Sequence, residues 1–485
     1  MNAFTWTSLH KIGWASLIYL SLVWSTAYAE YTDPSSYTIY EAEDAALIGT
    51  VVSQEIPDYS GSGYVTGFEA AGDSVQFIVT VDQEGFYPMA IRYAAPSGDK
   101  TNYIEVNGST AGEKLFPQAE TFTDIDFGQI YLDEGDNVVG ITSYWGYFDV
   151  DYIRVGPLQE RPVIAPVQDK LVTPHPSAEA QNLMTYLTSQ YGKSILAGQQ
   201  QSTLDEASFI YKQTGKLPAI VSITATDLGD SALEWAKYGG LISSEWHWYA
   251  PLNEKDFMTS QTSFDVSKAV QSGTAENNAL LKDLDQMAQT LKRFKDAKIP
   301  IIWRPLHEAE GGWFWWGSKG PEIAKELYAI MFERFTKFHG LNNLIWVWTT
   351  SDTIYSKEWC PGNNYVDIIG IDRYVKAGDY STLMSVYDTA AAMLEGKKLV
   401  AYSENGPIPD PRQLKRNKVG WMYFNTWYGK VLTDGKMNSD YHLRMVYNHP
   451  YVITLDKLPS EKIYGKRPIP YPIPPASSTA SPAYK

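Results

Sequence analysis

The chain has one cysteine, Cys360, so an intrachain disulfide is excluded and stability must come from a hydrophobic core even in an oxidising compartment. The thiol reads as packed or idle rather than as a nucleophile. Positive charge is scarce. Forty Lys and Arg stand against 56 Asp and Glu, a formal net charge of -16, which argues against nucleic acid and anionic membrane surfaces as partners. Long apolar runs are absent beyond the first thirty residues, so no later segment reads as membrane-spanning. A disordered chain is excluded too, because 44% of the residues are hydrophobic and only 20% are charged.

What is abundant is aromatic. Sixteen Trp and 34 Tyr exceed what packing requires and point to a ligand with flat apolar faces. A pyranose fits, because its C–H face stacks on a ring while its hydroxyls bond polar groups at the edge.

At 485 residues the chain is too long for one ordinary core, and its pattern changes along its length. Residues 1–29 read as a signal peptide: Lys11, an apolar run from Ile12 to about Trp24, then Ala27-Tyr28-Ala29 as a small-residue cleavage site. The run is shorter than the roughly 20 residues a membrane anchor needs, so a secreted, extracellular protein is expected.

Residues 36–155 carry short alternating segments such as Ser74–Val81 and Gly85–Tyr93, separated by turns such as Asn107-Gly108 and Asp133-Glu134-Gly135-Asp136. This is the pattern of a jelly-roll β-sandwich. Between 156 and 176, five prolines predict a stiff, extended linker.

From 177 to 457 short apolar runs alternate with amphipathic segments, which predicts repeated βα units. The candidate strands are Ser194–Gln199, Ala219–Thr224, Gly240–Trp246, Ile299–Leu306, Leu344–Thr349, Val366–Ile371, Leu399–Ser403 and Gly420–Asn425, with helices over 177–190, 275–296, 321–339 and 380–395. About 280 residues suits a (β/α)8 TIM barrel. The alternative, an open doubly wound sheet, lacks a glycine-rich phosphate fingerprint after any early strand. Residues 458–485 read as a Pro/Ser-rich tail without a fold of its own.

In such a barrel the active site lies at the C-terminal strand ends. The fourth run ends in Arg304-Pro305-Leu306-His307-Glu308 and the seventh in Tyr402-Ser403-Glu404. Two carboxylates facing across a cleft are what glycoside cleavage needs: one protonates the departing oxygen and the other attacks the anomeric carbon. Next to Glu308, the loop Gly311-Gly312-Trp313-Phe314-Trp315-Trp316-Gly317 would be a solubility liability without a ligand to cover it.

The stretch from Trp303 to Gly317 resembles the signature of family 26 glycoside hydrolases, most of which are endo-β-1,4-mannanases. The similarity includes Gly198-Gln199-Gln200, Trp246-His247-Trp248, Gly370-Ile371-Asp372-Arg373-Tyr374 and Ser403-Glu404. It implies a retaining enzyme that needs no catalytic cofactor, with Glu308 as acid/base and Glu404 as nucleophile. It implies further that His247 and His307 bond the sugar at the cleavage point, that Tyr374 holds and polarises Glu404, and that Trp313 and Trp421 are stacking platforms. Trp248 and Arg304 are counted with them as substrate-binding residues. For the two histidines a purely structural role, bracing loops, stays open. Where the family usually has Met-Asn after the catalytic Glu, this chain has Ala309-Glu310; Glu310 either raises the pKa of Glu308 or simply bonds a loop, the second being preferred.

The sandwich resembles a family 35 carbohydrate-binding module, on Tyr40-Glu41-Ala42-Glu43 and Phe148-Asp149-Val150-Asp151-Tyr152-Ile153. That implies a structural Ca2+ held by Glu41, Glu43 and Asp151, with oxygen ligands suited to a hard cation, unless the carboxylates never converge. For sugar binding Trp145 is chosen first, with Tyr144, Tyr147 and Tyr93 as candidates.

The expected partner is a β-mannan-type polysaccharide, cut by a monomer. The same machinery acting on β-1,3-xylan or mixed-linkage β-glucan is the alternative, and a non-catalytic polysaccharide-binding protein is the second.

Overall fold

A computed structural model describes residues 36–201, 204–252, 256–351 and 356–472, apart from the side chain of Trp145. The expected signal peptide and the last part of the tail lie outside the described residues.

The N-terminal region packs two antiparallel sheets face to face. One joins Val51–Ser53, Tyr64–Thr66, Asp149–Val155, Gly85–Ala95 and Ala119–Leu132 in that order, with Thr38–Glu41 added beside Asp149–Val155. The other joins Ala46–Ile48, Ser74–Val81, Gly135–Trp145, Lys100–Val106 and Ser109–Phe116. Period-two alternation sends Val75, Phe77, Val79, Ile104, Val139 and Ile141 inward, onto Met89, Ile91, Val150 and Ile153 of the facing sheet. Asn107 and Gly108 both take positive φ, 52° and 76°, the two-residue turn that matches the twist of a hairpin.

The C-terminal region is a closed parallel barrel. Its strands are β1 Ile195–Gln200, β2 Ile220–Ser222, β3 Leu241–Glu245, β4 Ile301–Arg304, β5 Leu344–Thr350, β6 Ile368–Arg373, β7 Leu399–Asn405 and β8 Tyr423–Thr426. Each pairs with the next, and β8 pairs with β1 to close the ring. Nearly every residue in these strands is buried, as expected where helices cover the outer face and side chains fill the interior. The helices begin at ordinary caps: the Ser177 side chain accepts from Ala180 N, Thr274 accepts from Asn277 N, and Pro321 opens Pro321–Glu333. The helix expected over 380–395 is confined to Met384–Ala392, because Leu383 before it and Leu394 after it take left-handed backbone.

Both connecting segments, as far as they are described, lie against the barrel. The segment 156–176, expected as a stiff, extended linker, runs largely without helix or strand and is fastened along its course. Arg161 is buried and bidentate on Asp388 (2.7 and 2.5 Å), Val172 N donates to Asp367, and Thr173 Oγ1 donates to the Leu344 carbonyl (2.8 Å each). Ile164, Val167 and Val172 pack against the barrel core. Gly420 lies where this segment passes: a Cβ there would stand 2.6 Å from Ile164 Cδ1. The eighth strand starts at Tyr423 rather than at 420.

The tail from 458 also folds back. Ser460–Tyr464 is helical, the Tyr464 hydroxyl donates to the Gly240 carbonyl (2.5 Å), and the Tyr471 ring sits 4.9 Å from Tyr238 and 5.9 Å from Trp235.

The sandwich docks directly on the barrel. Thr110 N donates to Asp379 (3.2 Å) and Ser385 Oγ to the Ala111 carbonyl (3.1 Å). Lys376 pairs with Glu105 (2.8 Å), Arg373 pairs with Glu113, and the Arg416 guanidinium lies 3.9 Å from the Tyr131 ring centre.

Candidate active site

β4 and β7 end on the same rim, where the Arg304 cation that closes β4 meets Glu404, one residue before the end of β7. Arg304, the final residue of β4, is buried; its Nη1 donates to Asp372 of β6 (2.5 Å) and its Nη2 to Glu404 of β7 (2.8 Å). The other Glu404 oxygen accepts from the Tyr374 hydroxyl (2.7 Å). Between β6 and β7 the register slips by one residue, so that Asp372 stands opposite Glu404 and Ser403 is extra; its hydroxyl donates to Asp372 (2.7 Å). Such a bulge re-aims a side chain, here Glu404, toward the mouth.

Glu308 follows β4 on strained backbone. Leu306 and Glu308 both adopt left-handed φ, 50° and 54°, a conformation that costs a non-glycine residue about 1–2 kcal/mol. One carboxyl oxygen of Glu308 accepts from Trp313 Nε1 (3.0 Å). Burial first, then the negative charge of Glu404, push the Glu308 pKa up to about 7, while Arg304 and the Trp313 bond pull the other way. This carboxyl therefore keeps its proton far above the ordinary carboxylate range.

Glu310 accepts from Thr350 Oγ1 (2.7 Å) and from Ser351 N and Oγ (2.5 and 2.9 Å), so it ties two loops together, and its charge adds the smallest of the upward pushes on Glu308.

The imidazoles of His247 and His307 stand edge to face, 4.7 Å apart. His307 is buried, and neither ring nitrogen has a hydrogen-bond partner. Burial, with Arg304 nearby, drives its pKa well below the ordinary value; burial lowers that of His247 to about 4. Both rings are neutral in the ordinary working range and can accept as well as donate.

Several sequence-based assignments are corrected. Trp421 is fully buried, donating Nε1 to the Thr382 carbonyl (2.9 Å) and packed on Tyr387 and Tyr402, so it presents no platform to a ligand. Trp248 is stacked on Trp246 (4.1 Å, 10° between planes) and donates to Asp283, which places it in the core behind the rim. Arg304 is sealed beneath the carboxylates and acts on them rather than on a ligand.

Of the four rings in the loop after Glu308, Phe314, Trp315 and Trp316 are buried; the indoles of Trp315 and Trp316 donate to the carbonyls of Trp248 (2.6 Å) and His307 (2.8 Å). Trp313 alone of the four is open, at 40% exposure. Two residues were missed. Asp372 ends the apolar run of β6, and Trp427 follows β8 with its ring 6.1 Å from His247. The rule that singled out Glu308 and Glu404, a polar or aromatic residue at a strand end, would have found both.

In the sandwich, Tyr144 and Tyr147 are 60% and 64% exposed, whereas Tyr93 is buried and donates to the Pro117 carbonyl (2.9 Å), which removes it from any binding face. Glu41, Glu43 and Asp151 do converge on the loop at Ser60–Ser62. Asp151, however, is taken by Arg92 (2.9 Å) and by Ser60 N, and among the described residues no group of three or more His, Cys, Asp or Glu has a geometry that could hold a metal ion. Glu41 and Glu43 each keep one buried oxygen without a hydrogen-bond partner, which suits a cation and leaves those two as the fitting donors.

Comparison with known proteins places these features in a family. The model "Glycosyl hydrolase family 26" matches residues 172–457, and "Carbohydrate binding module (family 35)" matches residues 38–158. A mannan endo-1,4-beta-mannosidase of Thermothelomyces thermophilus is 40% identical over 458 residues, covering 90% of this chain and 93% of that one. Mannan endo-1,4-beta-mannosidase B of Piromyces sp is 35% identical, covering 91% and 81%. The crystal structure of a Podospora anserina GH26-CBM35 beta-(1,4)-mannanase superposes with a TM-score of 0.62 at 36% identity, covering 88% of this chain and 99% of that one.

Proposed function

Because the chain belongs to glycosyl hydrolase family 26 and carries a family 35 carbohydrate-binding module ahead of its barrel, we propose that it hydrolyses β-1,4-mannosidic bonds within mannan, glucomannan or galactomannan chains with retention. The observation that carries this reading is the asymmetry of the two rim carboxyls: Glu404 is held by Arg304 and Tyr374, while Glu308 keeps its proton to about pH 7. In the first step Glu308 gives that proton to the glycosidic oxygen as Glu404 attacks the anomeric carbon, leaving a covalent glycosyl-enzyme. Glu308, now ionised, takes a proton from water, which attacks the same carbon and frees Glu404. Retention requires the two carboxyl groups to stand about 5–5.5 Å apart in the complex.

His247 and His307 face the bound sugar and bond its hydroxyls, and Trp313 and Trp427 stack on neighbouring rings. One chain supplies every group of this site, consistent with a monomer. Tyr144, Trp145 and Tyr147 take the polysaccharide on the module, and Ca2+ bound by Glu41 and Glu43 would neutralise their facing charges. The leader-like residues 1–29 support secretion, and no helix among the described residues is long and apolar enough to cross a membrane.

The test is product release from linear β-1,4-mannan, β-1,3-xylan and mixed-linkage β-glucan. Mannan is cut preferentially, and Glu308→Ala and Glu404→Ala each lower the rate by at least about 10²-fold. Preferential cutting of either other polymer moves the assignment to that substrate, and no cutting of any leaves a binding protein.

A further inference from the structure

The wall between module and barrel holds a cavity of about 140 Å³ beside the two rim carboxyls, with neither of them in its lining. Its module side is Tyr103, Glu105 and Glu113; its barrel side is Arg373, Tyr374 and Lys376. Tyr374 connects it to the chemistry. The hydroxyl is 2.7 Å from Glu404, and the same side chain, 43% exposed, lines the cavity, which therefore begins one tyrosine away from the nucleophile.

Beyond it the lining combines the apolar side chains of Val375, Leu383 and Val386 with a ring and charged groups from the facing module. Tyr103 packs at 5.0 Å and 52° against Tyr144, which is open to solvent, so two rings continue outward along the module face. At the rim the Lys376–Glu105 pair, with Lys376 58% exposed, offers a donor and an acceptor to hydroxyl groups. The Arg373–Glu113 pair fixes the two walls relative to each other, so the cavity is built rather than left over between loosely tethered domains.

We infer that this interdomain crevice is a distal sugar subsite of the catalytic cleft, in which Tyr103, Glu105 and Tyr144 of the binding module and Lys376 of the barrel hold a hexose of a chain whose cleavable bond lies at Glu404. The inference rests on the mannan reading above and adds to it that the module is part of the cleft, giving the enzyme a preference for long chains.

The intact protein is assayed on β-1,4-linked manno-oligosaccharides of three and six residues, comparing Tyr103→Ala, Tyr144→Ala and Glu105→Ala with the parent. Tyr144 and Glu105 lie at the edge, so at least two variants are safe for folding, and circular dichroism verifies all three. The ratio of kcat/KM for the six-residue substrate to that for the three-residue one falls about tenfold, the size of one lost stacking contact, and the cleavage pattern of the longer substrate shifts. A ratio unchanged in all three variants overturns the subsite even if binding to insoluble mannan declines, since that outcome makes the tyrosines an independent grip. If the parent cuts neither oligosaccharide nor mannan, it is the mannan reading that fails.

Discussion

A single guanidinium, Arg304, faces three carboxylates, Asp372, Glu404 and Glu245; burial works against its charge, but these neighbours more than offset that and raise its pKa. Acid in excess of base in a dry site means that one carboxyl must hold a proton, and among the groups at the mouth Glu308 does so. The consequence for activity has a definite sign. Glu308 must be protonated to act as acid, so kcat/KM is full below its pKa and is lost as pH rises through about 7. Trp313 donates to Glu308 and thereby pulls this pKa down. Trp313→Phe keeps a ring and removes the donor, so the alkaline limb of a kcat/KM profile shifts to higher pH; a limb that stays or moves down contradicts the assignment of Glu308 as the acid.

At the scale of elements, catalysis depends on how tightly the turn after β4 is packed. Gly317 closes the aromatic loop against it: a Cβ there would stand 1.8 Å from the Ala309 carbonyl oxygen, one residue from Glu308. Gly317→Ala therefore displaces the acid, and kcat falls about 10²-fold with the circular dichroism spectrum unchanged.

The barrel itself was legible because buried parallel strands are short apolar runs with polar ends, and Glu308 after β4 and Glu404 in β7 lie where that pattern puts them. Exposure was not legible. Trp313, Trp315 and Trp316 are one residue type within four positions, yet the short turn Trp315–Gly317 rotates two indoles into the core and leaves the first outside. Trp421 was misplaced for a related reason: the eighth strand begins two residues after it, so it precedes the rim instead of lining it. The ion pair of Arg92 with Asp151 joins residues 59 apart in sequence, and no spacing rule indicates it.

At the scale of the whole molecule, the prolines of 156–176 stiffen a segment that is also fastened along its length. Arg161 is bidentate on Asp388 and 5.7 Å from the ring centre of Phe86, a sandwich residue that belongs to the barrel's hydrophobic cluster. Because Phe86 joins the barrel's cluster and side chains pair across the seam, calorimetry of the intact protein gives one unfolding transition, although the sandwich keeps a hydrophobic cluster of its own. Arg161→Ala leaves Asp388 without its partner, and as that carboxylate is partly exposed the loss is about 1–2 kcal/mol, seen as a lower Tm and a transition that broadens or splits. Two transitions in the parent would mean that the two regions unfold independently, and an unchanged transition in the variant that Arg161 does not couple them.

That fastening also sets how the enzyme meets a solid. A catalytic domain on a slack leash would sweep a disc of wall around each anchoring point and make many cuts before letting go. Here the offset between grip and scissile bond is a fixed length, so each landing yields cuts at one position, and further digestion requires the molecule to lift off and settle again.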